Sequence, residues 1–346
     1  MFLSVPVNRK FRKYLRFKWG NQLLQWKSLP FGLKCSPRVV TKLLKPVLSF
    51  LRSHFKINLS VYMDDLILQA ADKETVYLHT QVTILLFYCL GWEVNWTKTN
   101  VTPTQILTHL GFIVDTRLMT ATCPVTKIER LQKDAKVALE AGFLTVHESE
   151  KLLGLMESMR PCTPMAAFYY RNLQKQLLVA KKHKRIPLKI IHLTQGSKVD
   201  LSWWVSSMGF QSNCTSSLRE PNPTTFIWSD ASMTGCGAHD LTGNFFQQTW
   251  TEEELSLDPH INVLELIAAK EAVAHLAVEG DVIRLYLDSQ VAASYIRRQG
   301  GTKSDAMSWE ACKLWELVQQ KKVSLVTPHW ISTKDNCSAD LLSDKK

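Results

Sequence analysis

The chain has no apolar run long enough to cross a bilayer. The longest, "VTILLFYCLGW", falls well short of the roughly 18 residues a spanning helix needs. Its N-terminus, "MFLSVPVNRKFRKYLRF", lacks the charged, then apolar, then small-residue layout of a secretion signal. The expectations are an intracellular protein, in cytoplasm or nucleus, with no membrane partner. No CxxC pair occurs among the eight cysteines (35, 89, 123, 162, 214, 236, 312 and 337). That excludes the common zinc spacings and argues for reduced thiols over a disulfide frame, with Cys236 and Cys312 expected in the core. No internal repeat and no long low-complexity segment appears. Asn213-Cys214-Thr215 fits a glycosylation sequon, but without a secretion signal it carries no weight.

What the chain does have is positive charge, unevenly spread. Its net charge is +11 over 346 residues, 45% of them hydrophobic, which is enough for two or three cores. Residues 1–120 carry 16 basic and 6 acidic side chains, residues 121–220 carry 15 and 8, and residues 221–346 carry 11 and 17. The first two-thirds suit a polyanion bound through its phosphates; a solvated basic surface is the plainer reading. "KKHKR" (181–185) reads either as a nuclear-import or nucleic-acid contact or as a solvated helix end. Trp203-Trp204 reads as a buried helix face before a base-stacking platform.

Periodicity predicts a hairpin over 11–33 turning at Gly20-Asn21, and a helix from Ser36-Pro37. It then predicts strand–turn–strand in "INLSVYMDDLILQA" and a helix ended by Gly91. Short strands are expected in "EVNWTKTNVTP" and "THLGFIVDTRLMTATCP", and mostly helix over 125–185. The polar stretch "NCTSSLREPNPTT" (213–225) is the expected boundary. After it, "TTFIWSDAS", "GNFFQQTWT", "DVIRLYLDS" and "VSLVTPHWI" read as strands among helices, a second α/β region. Gly235 and Gly237 read as a tight turn between strands.

Within this frame two sets of carboxylates stand out. Asp64 and Asp65 sit side by side between apolar flanks in "LSVYMDDLIL". Two like charges at the edge of a buried sheet call for cations between them, and Mg²⁺ takes one or two carboxylates plus substrate phosphates. Such a pair suits phosphoryl transfer, with a solvated Asp-Asp turn as the plain alternative. The second set is Asp230 at a strand end, Glu265 on a helix, Asp288 at another strand end and Asp340 near the C-terminus. Four acids meeting without counter-ions would repel strongly, so their convergence again calls for metal.

"YMDD" resembles the catalytic hairpin of reverse transcriptases. "LPFGLKCSP" (29–37) is similar to that family's nucleotide- and template-contacting segment, "GWEVNWTKT" carries Lys98 where the family has a lysine near the phosphates, and "THLGF" (108–112) resembles its primer grip. The resemblance implies a partial reverse-transcriptase palm over 1–120, metal held by Asp64 and Asp65, and nucleotide contacts from Phe2, Phe31, Gly32 and Lys98. Phe2 falls where the family keeps an aromatic that excludes a ribose 2′-hydroxyl. The family's third palm aspartate would precede "SVP" (4–6) and fall before Met1. The chain is therefore expected to begin inside the palm, to bind dNTP weakly if at all, and to polymerise poorly. "SDAS", "ELIAA", "LDSQ" and "NCSAD" resemble ribonuclease H, which implies an RNase H-like mixed-sheet domain over 224–346. It also implies two-metal hydrolysis of the RNA strand of an RNA–DNA hybrid at Asp230, Glu265, Asp288 and Asp340, using Mg²⁺ or alternatively Mn²⁺. His239 is expected at the surface and His329 in a structural role.

The fold class expected is thus α/β (α+β): partial palm, a helical thumb and connection over 121–223, then the RNase H-like domain. Implied partners are an RNA–DNA hybrid, an RNA template and a DNA primer. "KYLRFKWG", "LPFGL", "LYLDSQVAASYIRRQGGTKS" and "NCSADLLS" together resemble the reverse transcriptase–ribonuclease H of DIRS-like, tyrosine-recombinase retrotransposons. Both ends read as clipped. The rival from another class is a non-catalytic nucleic-acid-binding remnant.

Overall fold

The computed structural model describes residues 2–182, 190–207, 214–255 and 259–344. Residues 183–185 of "KKHKR" and Asn213 lie outside them. The chain divides into two compact units, residues 1–109 and 110–346. The stretches expected as connection and as RNase H-like domain therefore share one unit.

In the first unit a hairpin, β1 (Arg16–Trp19) and β2 (Gln22–Gln25), turns at Gly20, whose φ of +57 needs no Cβ. Helix α1 (Ser36–His54) buries Val40, Leu44, Leu48 and Leu51, a stripe at helical spacing. That stripe packs with Leu29, Ile57, Leu59 and Phe87 into the unit's core. Strands β3 (Asn58–Tyr62) and β4 (Asp65–Gln69) form an antiparallel hairpin, and α2 (Lys73–Cys89) follows, capped by Asp72, which accepts from the Thr75 amide at 2.7 Å. Strand β5 (Ile106–His109) ends the unit. The strands expected in "EVNWTKTNVTP" are absent. There Thr97 and Thr99 hydroxyls donate to Asn95 and the Thr102 amide donates to Asn100, so local side-chain bonds replace a ladder.

The second unit opens with β6 (Phe112–Asp115) and β7 (Thr120–Thr122), then α3 (Val125–Ala141), β8 (Phe143–Thr145), α4 (Val146–Met159), α5 (Arg171–Lys182), β9 (Ile190–His192) and α6 (Gln195–Ser207). Thr145 and Glu148 form a reciprocal capping box on α4. Leu131, Ala135, Met156, Leu173, Leu201 and Trp204 make a helical core. Trp204 is fully buried and donates to the Tyr169 carbonyl at 2.8 Å, while Trp203 stacks on the Tyr169 ring; both tryptophans serve packing. β10 (Thr215–Ser217) pairs with β7.

A five-stranded sheet follows: β11 (Thr225–Ala231), β12 (Gly235–Asp240), β13 (Phe245–Thr249), then α7 (Glu252–Leu255), α8 (Ile261–Leu276), β14 (Val282–Leu287), α9 (Gln290–Arg298), α10 (Asp305–Gln320), β15 (Leu325–Trp330) and α11 (Cys337–Ser343). Its order is β13-β12-β11-β14-β15, antiparallel on the first side of β11 and parallel on the other. Ile227, Ile283 and Leu285 point into a core shared with α8 and α10. Asp230, three residues after Ile227, points to the other face, where α11 packs.

Strand β12 corrects one expectation: Gly235 and Gly237 are within a strand, not a turn. A Cβ at Gly235 would lie 2.4 Å from the Gln248 carbonyl oxygen, and one at Gly237 would lie 2.3 Å from Leu342 Cβ. The two glycines admit β13 and α11. His239, expected at the surface, is half-buried and stacked on Trp228, whose other neighbour is Tyr286. His329 tilts against Tyr286, and burial lowers its pKa. Among the described residues no helix is long and apolar enough to cross a membrane.

Candidate active site

The sheet and α8 converge on acid. Asp230 is the sixth residue of β11, Glu265 lies on the first half of α8, and Asp288 follows the last residue of β14. One carboxylate oxygen from each lies within 4.8 Å of the others, and among the described residues this is the one such group of three or more potential metal ligands. Asp230 and Glu265 are 4% and 5% exposed. Carboxylates are almost never that buried unless something offsets their charge.

Their environment shows the strain. Burial, then the negative charge of Asp230 and Asp288, pushes Glu265 up to about 9. Burial first, with Asp288 and Asp340 adding repulsion, raises Asp230 to about 6 against the pull of hydrogen bonds from Ser343 and Asn336. Glu265 Oε2 is buried without a hydrogen-bond partner. A buried acceptor left unmatched among like charges fits a site built for a hard cation with oxygen ligands. The residues present suit a divalent ion.

Neighbours fix the ligands. Asn336 Nδ2 donates to Asp230 Oδ1 and to the Ser229 carbonyl, each at 3.1 Å, and Ser343 Oγ donates to Asp230 Oδ2 at 2.7 Å. Thr333 Oγ1 donates to Asp288 Oδ2 at 2.8 Å, and Trp330 Nε1 to the Asp288 carbonyl at 2.9 Å. Asp340 stands outside the 4.8 Å group, near enough to repel Asp230. The inward stripe of this segment is Asn336, Ala339 and Ser343, spaced by three and four, so the next position, Asp340, faces solvent. Sequence reasoning passed over Asn336 and Ser343. The signal was their three- and four-residue spacing around Ala339 in "NCSADLLS".

In the first unit the β3–β4 turn consists of Met63 and Asp64, with Tyr62 paired to Asp65. Met63 is held at φ +55, a costly conformation for a side chain of its size. Asp64 and Asp65 are exposed, and no group of three acids among the described residues includes them. The segment 29–37 is tied to 5–7: the Leu29 amide donates to Val5 O at 2.8 Å and the Val7 amide to Lys27 O at 2.9 Å. This tie brings Phe2 and Phe31 to a ring separation of 5.3 Å, beside Gly32 at φ +85. Lys98 sits in a turn closed by its amide on Asn95 O.

Residues 1–114 match the family model described as reverse transcriptase (RNA-dependent DNA polymerase). The chain is 23% identical over 178 residues to the Gag-Pol polyprotein of walleye dermal sarcoma virus, covering 51% of this chain and 10% of that protein. It is 28% identical over 184 residues to the Gag-Pro-Pol polyprotein of human T-cell leukemia virus 2, covering 51% and 12%. The match thus spans roughly a tenth of the length of these curated relatives. A foamy viral protease-reverse transcriptase, solved in complex with RNA/DNA hybrid, shares the fold at TM-score 0.50 and 16% identity, covering 95% of this chain and 42% of that one. The N-terminal third is thus similar to reverse transcriptases, and about half of the chain is similar to retroviral polyproteins of the Gag-Pol type.

Proposed function

We propose that this chain hydrolyses the RNA strand of RNA–DNA hybrids at Asp230, Glu265 and Asp288, with Asp340 completing the set when substrate is bound. The observation that carries this reading is the approach of three carboxylates from separate elements, two of them buried, to within 4.8 Å, with Glu265 Oε2 unmatched. Asp230, Glu265 and Asp288 would hold the metal, Mg²⁺ or Mn²⁺. A bound divalent cation supplies the positive charge that offsets the acids and polarises the scissile phosphate. Asn336, Ser343 and Thr333 hold the carboxylates at fixed angles before substrate arrives. Choice of RNA over DNA would rest on the 2′-hydroxyl, the group that separates the two strands chemically.

The match of residues 1–114 to the reverse transcriptase family model supports a second chemistry, nucleotide transfer at Asp64 and Asp65, with Phe2, Phe31, Gly32 and Lys98 about the nucleotide. Because that pair stands without a third acid among the described residues, DNA synthesis by this chain alone is low. Partners are an RNA–DNA hybrid and a primed RNA template. The motifs quoted above favour a DIRS-like element as the source.

A fluorescent hybrid-cleavage assay in Mg²⁺ tests the main reading. Wild type cuts the RNA strand. Asp288→Asn and Glu265→Gln each lose at least about 10²-fold in rate, as expected when a preorganised electrostatic contact is removed. Hybrid binding without cutting, indifferent to Asp288→Asn, would instead identify a non-catalytic binder.

A further inference from the structure

Outside the acidic cluster, the second unit has a cavity of about 310 Å³ lined by three arginines from three separate elements. Arg160 follows α4, Arg171 opens α5, and Arg298 closes α9. The one carboxylate in the lining, Glu157, is already engaged on both oxygens: Arg160 Nε approaches Oε1 at 3.1 Å, and the Tyr170 hydroxyl donates to Oε2. Arg171 and Arg298 have no acidic partner among the described residues.

Arg171 is held as a fixed plane. It lies over the Tyr170 ring at 5.1 Å, and its two terminal nitrogens are taken by neutral acceptors, Gln174 Oε1 at 2.9 Å and the Arg298 carbonyl at 3.0 Å. Three of its five N–H donors remain: a second one on each terminal nitrogen, and Nε–H, which is buried and has no hydrogen-bond partner. A cationic group that lines a cavity with no acidic partner and donors to spare is relieved by an anion that brings oxygen atoms. Guanidinium groups suit phosphate oxygens in charge and in fork geometry. The side chain of Arg298, exposed at the rim, supplies a second free cation.

We propose that this arginine cavity is a phosphate-binding site, taking either a phosphodiester of a nucleic-acid strand or a free phosphate group. It stands whether or not the acidic cluster cleaves hybrids. The nine-residue helix α9 separates the two, since it starts two residues after Asp288 and ends at Arg298. At 1.5 Å per residue that places Arg298 about 12 Å along the axis from the helix start.

The test compares the full chain with Arg298→Gln, Arg171→Gln and Arg298→Lys in EDTA, where cleavage does not intervene. The first arm measures anisotropy of a labelled RNA–DNA hybrid across a salt series. The second measures the thermal midpoint with and without inorganic phosphate. If the strand backbone is the ligand, Arg298→Gln weakens hybrid binding about tenfold and lowers the slope of log affinity against log salt by about one, while Arg298→Lys keeps the slope. If free phosphate is the ligand, it raises the wild-type midpoint but not that of Arg298→Gln, and hybrid affinity is unmoved. Arg298→Gln is read against its own midpoint in buffer, because an exposed rim residue leaves folding intact where Arg171→Gln could perturb it. Unchanged hybrid affinity and unchanged phosphate response in both glutamine variants overturn the proposal, even if wild type cuts hybrids.

Discussion

At the scale of single residues, Glu265 decides how this protein responds to pH. Its folded pKa, about 9, lies above the ordinary 4.5, so the folded state binds the proton more tightly than the unfolded chain does. The stability that this group contributes is therefore fully present below about pH 4.5 and is lost progressively as pH rises toward 9. Asp230, raised to about 6, acts in the same direction between pH 3.8 and 6. Without divalent ions the thermal midpoint should fall from pH 5 to pH 8, and Glu265→Gln should flatten that fall by removing a penalty on the order of 1–3 kcal/mol. Mg²⁺ should raise the wild-type midpoint at pH 8 and leave that of Glu265→Gln nearly unmoved. Thermal denaturation of both proteins across pH, with EDTA or Mg²⁺, checks this. A wild-type midpoint indifferent to both pH and Mg²⁺ would show that these carboxylates are not under mutual strain.

At the scale of elements, the site depends on how closely α11 lies on β12. Gly237 makes that approach possible, and α11 carries Ser343 onto Asp230, with Asn336 reaching the same carboxylate from the residue before the helix. Gly237→Ala leaves every acid in place yet forces its Cβ into the Leu342 backbone, 2.6 Å from the carbonyl carbon. We expect about 1–3 kcal/mol of destabilisation from this overpacking, together with loss of hybrid cleavage at temperatures where the protein is still folded. Normal cleavage in a folded Gly237→Ala would sever the link between α11 and the acids. The same strand marks the limit of what the sequence made legible. Helices α1, α2, α3 and α8 were readable because their apolar spacing or caps are local signals. The β3–β4 hairpin and the acids at 230, 265 and 288 were readable because motif and strand ends coincide. Strand β12 was not, because "GCGAHD" has glycine where a strand has side chains; the reason is the approach of β13 at Gly235 and of α11, remote in sequence, at Gly237. The clamp on Asp230 was missed for the same reason: Asn336 and Ser343 are polar residues whose partner is remote in sequence. The "EVNWTKTNVTP" segment failed in the opposite way, since its β-favouring residues lost to asparagine side-chain bonds.

At the scale of the whole molecule, charge and chemistry are divided along the chain. The basic excess lies in residues 1–220, and the acidic excess in the part that carries the buried carboxylates. Asp64 and Asp65 belong to one compact unit, while Asp230, Glu265 and Asp288 belong to the other. Each acid set is assembled from side chains of its own unit, so neither needs the other's residues to hold a cation. The two chemistries should therefore separate cleanly under mutation. Asp64→Asn should leave hybrid cleavage within about twofold of wild type, as expected for an exposed position that shares no hydrogen-bond partner with the cluster. Asp288→Asn should leave unchanged whatever primer extension the chain shows. That extension should itself be weak, because an exposed pair of carboxylates concentrates less negative charge for cations than three, two of them buried, do. Primer extension and hybrid cleavage measured side by side on wild type, Asp64→Asn and Asp288→Asn give the answer. Robust, Asp64-dependent synthesis would show that two exposed carboxylates suffice for nucleotide transfer here. Loss of hybrid cleavage in Asp64→Asn would show that the acids of the first unit take part in cutting.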